Sequence, residues 1–233
     1  MIKERPILFS APMVRAILEG RKTVTRRVMK PQPHPDFLAR GVHSVVPQWP
    51  NQDGVRWFME DGCSELVKCP HGKPGDRLWV RESFWGCDLP GHGDQPCVVY
   101  DDEWHGKEYE PAETRPWARK FGRIPSIHMP RNASRILLEI TAVRVERLQD
   151  GEGETAFESR YLAEGIHRIH HGDGDYHYHA FRNEPGPGNW VDPFDAWREL
   201  WQSINGPGSW DANPWVWAVS FRAIQSSQEH HHD

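Results

Sequence analysis

The stretch that most constrains this chain is 214–222, where Trp215, Trp217, Val219 and Phe221 alternate with Val216, Ala218, Ser220 and Arg222. A period of two puts the first four on one face of an extended strand and the others on the opposite face. A second run, 134–147, sets Ile136, Leu138 and Ile140 against charged or small residues and continues through Val143 and Val145, as a long strand or a hairpin. Residues 77–84 read as a strand entered from the turn Pro74-Gly75-Asp76. Glycine and proline, 20 of each in 233 residues, argue for short elements joined by many turns and against a long helical bundle.

Three helices are expected among the strands. Residues 10–20 offer Ser10 as cap, Pro12 in the first turn and Gly20 just past the end, with Met13, Val14, Ile17 and Leu18 as the core-facing stripe. Residues 153–163 place Phe157, Tyr161 and Leu162 on one side, and Gly165 reads as the stop. The third, 192–204, has Asp192 as cap, Pro193 behind it, and a stripe of Phe194, Trp197, Leu200, Trp201 and Ile204. Turn-rich stretches at 31–73, 86–123 and 167–190 read as insertions on a compact β core, long enough to wall a site or cover an edge. One domain over 1–225 and a solvated tail at 226–233 are expected.

Charge is distributed unevenly. Residues 1–30 carry eight lysines and arginines against two glutamates, whereas 148–195 carry ten acids against three arginines. This asymmetry suits an anionic ligand such as a nucleotide near the basic segment, and it equally suits pairing of the two segments across the fold. No apolar run is long enough for a membrane span, and no secretion signal is recognisable, which gives a cytoplasmic expectation. Cys63, Cys69, Cys87 and Cys97 lack the regularity of a disulfide framework. Cys63, Cys69 and His71 could ligate zinc, but the Cys-x-x-Cys pairs of structural sites are missing, so idle thiols and no metal or other cofactor are expected.

The densest chemistry is Gly20-Arg21-Lys22-Thr23-Val24-Thr25-Arg26-Arg27. Threonine becomes a nucleophile only beside a base, and lysine becomes a base only when burial or neighbouring cations lower its pKa. Lys22 sits among Arg21, Arg26 and Arg27. A straight strand would point Lys22 and Thr25 to opposite faces, so they meet only if the chain turns at 21–24. A solvated basic loop or a phosphate clamp is the plainer reading. Glu164, in the last turn of the second helix, stands at the wrong end of the helix dipole for a carboxylate and invites a partner such as lysine; a solvated helix end also accounts for it. His167, His170, His171, His177 and His179 lie around Gly172-Asp173-Gly174-Asp175, a loop context rather than a metal site. Trp79, Trp215 and Trp217 could stack a base or fill a core.

Taken together, Ile17-Leu18-x-Gly20-Arg21-Lys22-Thr23-x-Thr25-Arg26-Arg27, Pro74-Gly75-Asp76-x-Leu78-Trp79-Val80-Arg81-Glu82, Ala163-Glu164-Gly165 and Ser209-Trp210-x-x-Asn213-Pro214-Trp215-Val216-Trp217 resemble the ASCH domains of the PUA-like superfamily, in a longer branch often carried by phages and prophages. The likeness is spread over about half the chain and omits the three turn-rich stretches. It implies an α+β fold, a small, mostly antiparallel β-barrel flanked by short helices. It also implies an amidohydrolase acting on N4-acylated cytosine nucleosides, with Lys22, Thr25 and Glu164 as the catalytic set and Arg21, Arg26, Arg27, Trp79 and Glu82 on the substrate. Glu158 competes with Glu164 for the carboxylate position. In the implied chemistry Lys22 takes the proton of Thr25, which attacks the acyl carbonyl, or Lys22 activates water directly. Backbone N–H groups or a local arginine would hold the oxyanion. The partner is then a modified cytosine nucleoside or RNA. A non-catalytic RNA or modified-base binding module is the rival, with a ribonuclease behind it. Acyl-group preference, the choice of nucleoside or polymer, and oligomeric state are open at this level.

Overall fold

A computed structural model describes residues 2–33, 45–47, 54–59, 62–63, 65–87, 97–100, 123–150, 157–172 and 174–224. In chain order the strands are β1 (Glu4–Leu8), β2 (Val24–Val28), β3 (Val45–Pro47), β4 (Val55–Met59), β5 (Gly62–Cys63), β6 (Arg77–Arg81), β7 (Phe84–Cys87), β8 (Cys97–Tyr100), β9 (Arg123–Ile124), β10 (Leu137–Arg147), β11 (His167–His170), β12 (Tyr176–His179) and β13 (Trp215–Ile224). The helices are α1 (Ala11–Leu18), α2 (Phe157–Leu162) and α3 (Pro193–Asn205). The protein is therefore mixed α+β and mostly strands.

Its main sheet runs β1-β6-β10-β13-β2. The β1–β6 pair is parallel and the other three pairs are antiparallel. β10 and β13 form the spine, in register from Leu137↔Ile224 to Arg147↔Trp215 with one irregularity between Ile140 and Ala142. The sheet is open. β1 and β2 are its two edges, and among the described residues no backbone ladder joins them. They meet instead through a side chain, Arg27 Nη2 donating to the carbonyl of Leu8, while α1 bridges them in sequence.

α1 and α3 each bury one stripe, with departures at their ends. α1 buries Met13, Val14, Ala16 and Ile17, but Leu18 is exposed because its last turn runs clear of the sheet into Gly20, at φ +74°. α3 is capped by Asp192, whose carboxylate accepts from the Phe194 amide at 2.8 Å, and buries Ala196, Trp197, Leu200 and Trp201. Ile204 is exposed. β13 is covered on both faces. Val216, Trp217, Ala218, Val219 and Phe221 are all buried, because the strand is central in the sheet and the core reaches both its sides. Trp215 is half-buried, with the Arg147 guanidinium 4.9 Å from its ring.

Residues 167–190, expected as a loop, instead form the hairpin β11–β12 closed by a Tyr178–Trp190 bridge. Ile169, Tyr178 and Ala180 anchor it by burial. The stretch 31–73 lies in part outside the described residues and 86–123 largely so, and the tail 226–233 and the start of the helix expected at 153–163 also lie outside them. Within the first of these stretches, β3-β4-β5 form a small sheet. β8-β7-β9 form another beside a satellite core of Phe84, Ile124, Met129 and Ala133. No helix among the described residues is long and apolar enough to cross a membrane.

Candidate active site

The segment between α1 and β2 is bolted to the turn that follows α2. The amides of Thr23 and Val24 both donate to the carbonyl of Ala163, at 2.9 and 3.1 Å. The Lys22 amide donates to Ala16 O at 2.9 Å, and Arg21 Nη1 donates to Gly165 O at 2.6 Å. Gly165 has φ +97°, and a Cβ there would stand 2.9 Å from the Ala16 Cβ and 3.4 Å from the Lys22 Cβ. A glycine is what lets the turn approach so closely.

This approach encloses a charge network. Lys22 Nζ donates to Glu164 Oε2 at 2.7 Å and to the Glu164 carbonyl at 2.9 Å. Arg26 Nη1 donates to Glu164 Oε1 at 2.8 Å, and Arg26 Nε donates to Glu146 Oε1 on β10 at 2.7 Å. The Lys22 side chain is 0% exposed and that of Glu164 1%. Burial drives the Lys22 pKa below the usual lysine range; Glu164 opposes this, and Arg27 and Arg26 add to it. Burial acts the same way on Arg26, but Glu164 and Glu146 outweigh it and hold that guanidinium above its ordinary value. Arg27 is pushed down by burial, with Glu164 only partly compensating.

Beside the network opens a cavity of about 750 Å³. Residues 8–13 form one wall, β2 and Lys30 a second, and Trp197, Trp201, Ile204 and Asn205 of α3 a third. Thr25 and Glu164 both reach it, but Lys22 lies behind the wall. Thr25 is buried, and no hydrogen bond links its hydroxyl to Lys22 Nζ among the described residues.

The sequence-derived candidates therefore divide. Lys22, Glu164 and Arg26 are in direct contact, Thr25 and Arg27 share the cavity wall, and Arg21 turns away to Gly165 O and Glu19. Trp79 and Glu82 do not line this cavity. Trp79 is half-buried on β6 beneath the Arg81 guanidinium, and Glu82 is clamped by Arg135 through two 3.0 Å bonds. Trp79 lies on β6 and Glu82 just past its end, one residue before Ser83, which does line the cavity; the two residues themselves are not among its lining. The Glu158 side chain lies outside the described residues.

The sequence carried no site signal for Glu146, Ser83 and Arg123; it offered Ser10 only as a helix cap, a bond its side chain does not make, and Trp197 and Trp201 only as core. The helical stripe held a signal for both tryptophans, but no periodicity says that a core face also walls a cavity. Elsewhere, burial pushes the Cys69 thiol up to about 11 and the His71 imidazole down to about 4. The side chain of Cys63 lies outside the described residues. The five histidines belong to the hairpin and its turn, where the His171 and His177 rings stand 4.0 Å apart. Among the described residues no three His, Cys, Asp or Glu side chains gather as metal ligands would.

The chain matches no family model, and comparisons with curated proteins and with solved structures give no match.

Proposed function

We propose that this protein is an amidohydrolase of the ASCH type that removes the acyl group from N4-acylated cytosine nucleosides. The observation that carries the reading is the fully enclosed Lys22–Glu164 pair next to a cavity whose wall holds Thr25. A buried ion pair loses hydration that its attraction only partly returns, so it is weak evidence for stability and better evidence for a tuned site. Two of the motifs that carry the family resemblance, 142 residues apart, meet in this pair. In that reading the main sheet stands for the family's PUA-like barrel, although its pairing is open between β1 and β2.

The chemistry is acyl transfer. Thr25 Oγ1 attacks the acyl carbonyl carbon while its proton passes to neutral Lys22 Nζ. Collapse of the tetrahedral intermediate breaks the bond from carbon to N4, and Lys22 returns the proton to the leaving nitrogen. Water then cleaves the Thr25 ester by the same base, releasing the carboxylic acid. Glu164 orients Lys22, and Arg26, tied at both ends to carboxylates, is a positioning residue. Lys22 must swing from Glu164 toward the cavity, or act through a water, because its amine does not itself reach the wall.

That same offset favours a second reading, a binding module for RNA or a modified base in which the buried pair only braces the wall. An absorbance assay on N4-acetylcytidine in the presence of a chelator separates them. The amidohydrolase turns the compound over. Thr25→Ala lowers that turnover by about 10²–10⁴-fold with the melting temperature held. Lys22→Arg is nearly as damaging, since arginine keeps its proton. Wild-type turnover by Lys22→Arg removes lysine from the base role, and no turnover by the wild type leaves the binding module standing.

A further inference from the structure

The cavity has a second pole, and it is cationic. Arg26, Arg27, Lys30 and Arg123 reach its wall, against one carboxylate, Glu164, among the described lining residues. Glu164 is already committed to Lys22 and Arg26. Arg27 differs from Arg26 in lacking a carboxylate: its Nη2 donates to Leu8 O at 2.5 Å, its guanidinium stands 5.2 Å from the Phe9 ring, and its buried Nε has no hydrogen-bond partner. It is held in place on the wall, and among the described residues no carboxylate in contact neutralises its charge.

Leu8 and Phe9 lead directly into α1, whose first turn lines the same wall through Ser10, Ala11, Pro12 and Met13. The Ser10 hydroxyl makes no capping bond, and the first turn carries no acid. The amides of Ala11 and Met13 are among the donors a helix start leaves without intrahelical partners. A positive helix end beside an arginine with no carboxylate partner, on a wall that also carries Lys30, suits an anion.

We propose that this pole binds phosphate, so that the site takes the acylated cytosine as a nucleotide in preference to the free nucleoside. The acyl end of this assignment rests on the amidohydrolase reading, whereas the phosphate end rests on the cationic wall, Arg27 and Lys30 above all, and on the start of α1. The cavity, at about 750 Å³, falls in the range usual for sites of that ligand size. A terminal monoester and the diester of a short RNA present the same chemistry to this pole.

The test compares kcat/KM for N4-acetylcytidine, its 5′-monophosphate and a short single-stranded oligonucleotide carrying the same base. Wild-type protein should favour a phosphorylated form at least about tenfold at low salt, with the gap narrowing as salt screens it. Whichever phosphorylated form is faster identifies the source. In Arg27→Gln the ratio of phosphorylated to free substrate should fall toward one. Lys30→Gln, at an exposed position, should lower the ratio in part without the folding risk of the first variant. Equal kcat/KM for nucleoside and phosphorylated forms in the wild type overturns the inference and leaves the amidohydrolase reading intact. An unchanged ratio in Arg27→Gln also overturns it. If nothing is turned over, the amidohydrolase reading fails and calorimetry decides the pole. Cytidine 5′-monophosphate binding at least tenfold tighter than cytidine upholds it, and equal binding removes it.

Discussion

At Glu164 one carboxylate answers two cations, and the chemistry of the surrounding residues follows from that imbalance. Glu164→Ala strands Lys22 in the interior and leaves Arg26 with Glu146 alone, and removing one partner of a buried pair costs about 3–5 kcal/mol. Lys22→Met is milder, since Glu164 keeps Arg26 at 2.8 Å. Urea unfolding of the two variants checks the order, and a larger loss for Lys22→Met would show that Arg26 does not hold the carboxylate by itself. This pair was legible in the sequence because each member is chemically out of place locally, a lysine among arginines and a carboxylate at a helix end. Arg26 was legible only as charge. Its second anchor, Glu146, lies 120 residues away on a strand that gives no hint of facing it. Trp79 and Glu82 were read onto the substrate because they share a motif, and the Arg135 clamp that removes Glu82 is equally silent in sequence.

Among the elements, helix boundaries were the most readable feature and coverage the least. Asp192-Pro193 announced the start of α3 through capping chemistry, and Asp192→Ala should cost about 1 kcal/mol in urea unfolding, with the cavity kept. Alternation placed β13 as a strand but could not say that both its faces are buried, which depends on where α1 and α3 lie. The hairpin β11–β12 escaped because its histidines and glycines carry turn statistics, while its hold on the core comes from Ile169, Tyr178 and Ala180. Gly165 is the element-scale hinge of the site. Gly165→Ala puts a Cβ 2.9 Å from that of Ala16 at φ +97°, so it should destabilise the fold by at least about 1–3 kcal/mol. It should also lower turnover beyond what the remaining folded fraction explains. Full specific activity of the folded variant would show that the turn can shift without moving Lys22.

For the whole molecule, acid is the condition that two half-buried histidines make costly. Burial holds His71 and His167 down at about 4, with nearby Arg27 and Arg5 adding at the first and Arg21 at the second. Unfolded, both take a proton near about 6.5. Between those values the unfolded chain binds more protons, so stability is intact above the window and declines as pH falls through it. Melting temperature should therefore drop from pH 6.5 toward 4, and His71→Gln with His167→Gln should flatten that slope. A slope unchanged in the double variant would assign the decline to the carboxylates instead.

The two amides of Thr23 and Val24 share one acceptor, the carbonyl of Ala163. Neither strand β2 nor helix α2 can therefore fray alone at that point. If the last turn of α2 lifts, both N–H groups are released together, Lys22 loses the carbonyl and the carboxylate of Glu164 in the same motion, and the lysine amine meets water. The site is thus present or absent as one cooperative unit, and the hydrogen–deuterium exchange rates of those two amides should agree with each other and count its openings.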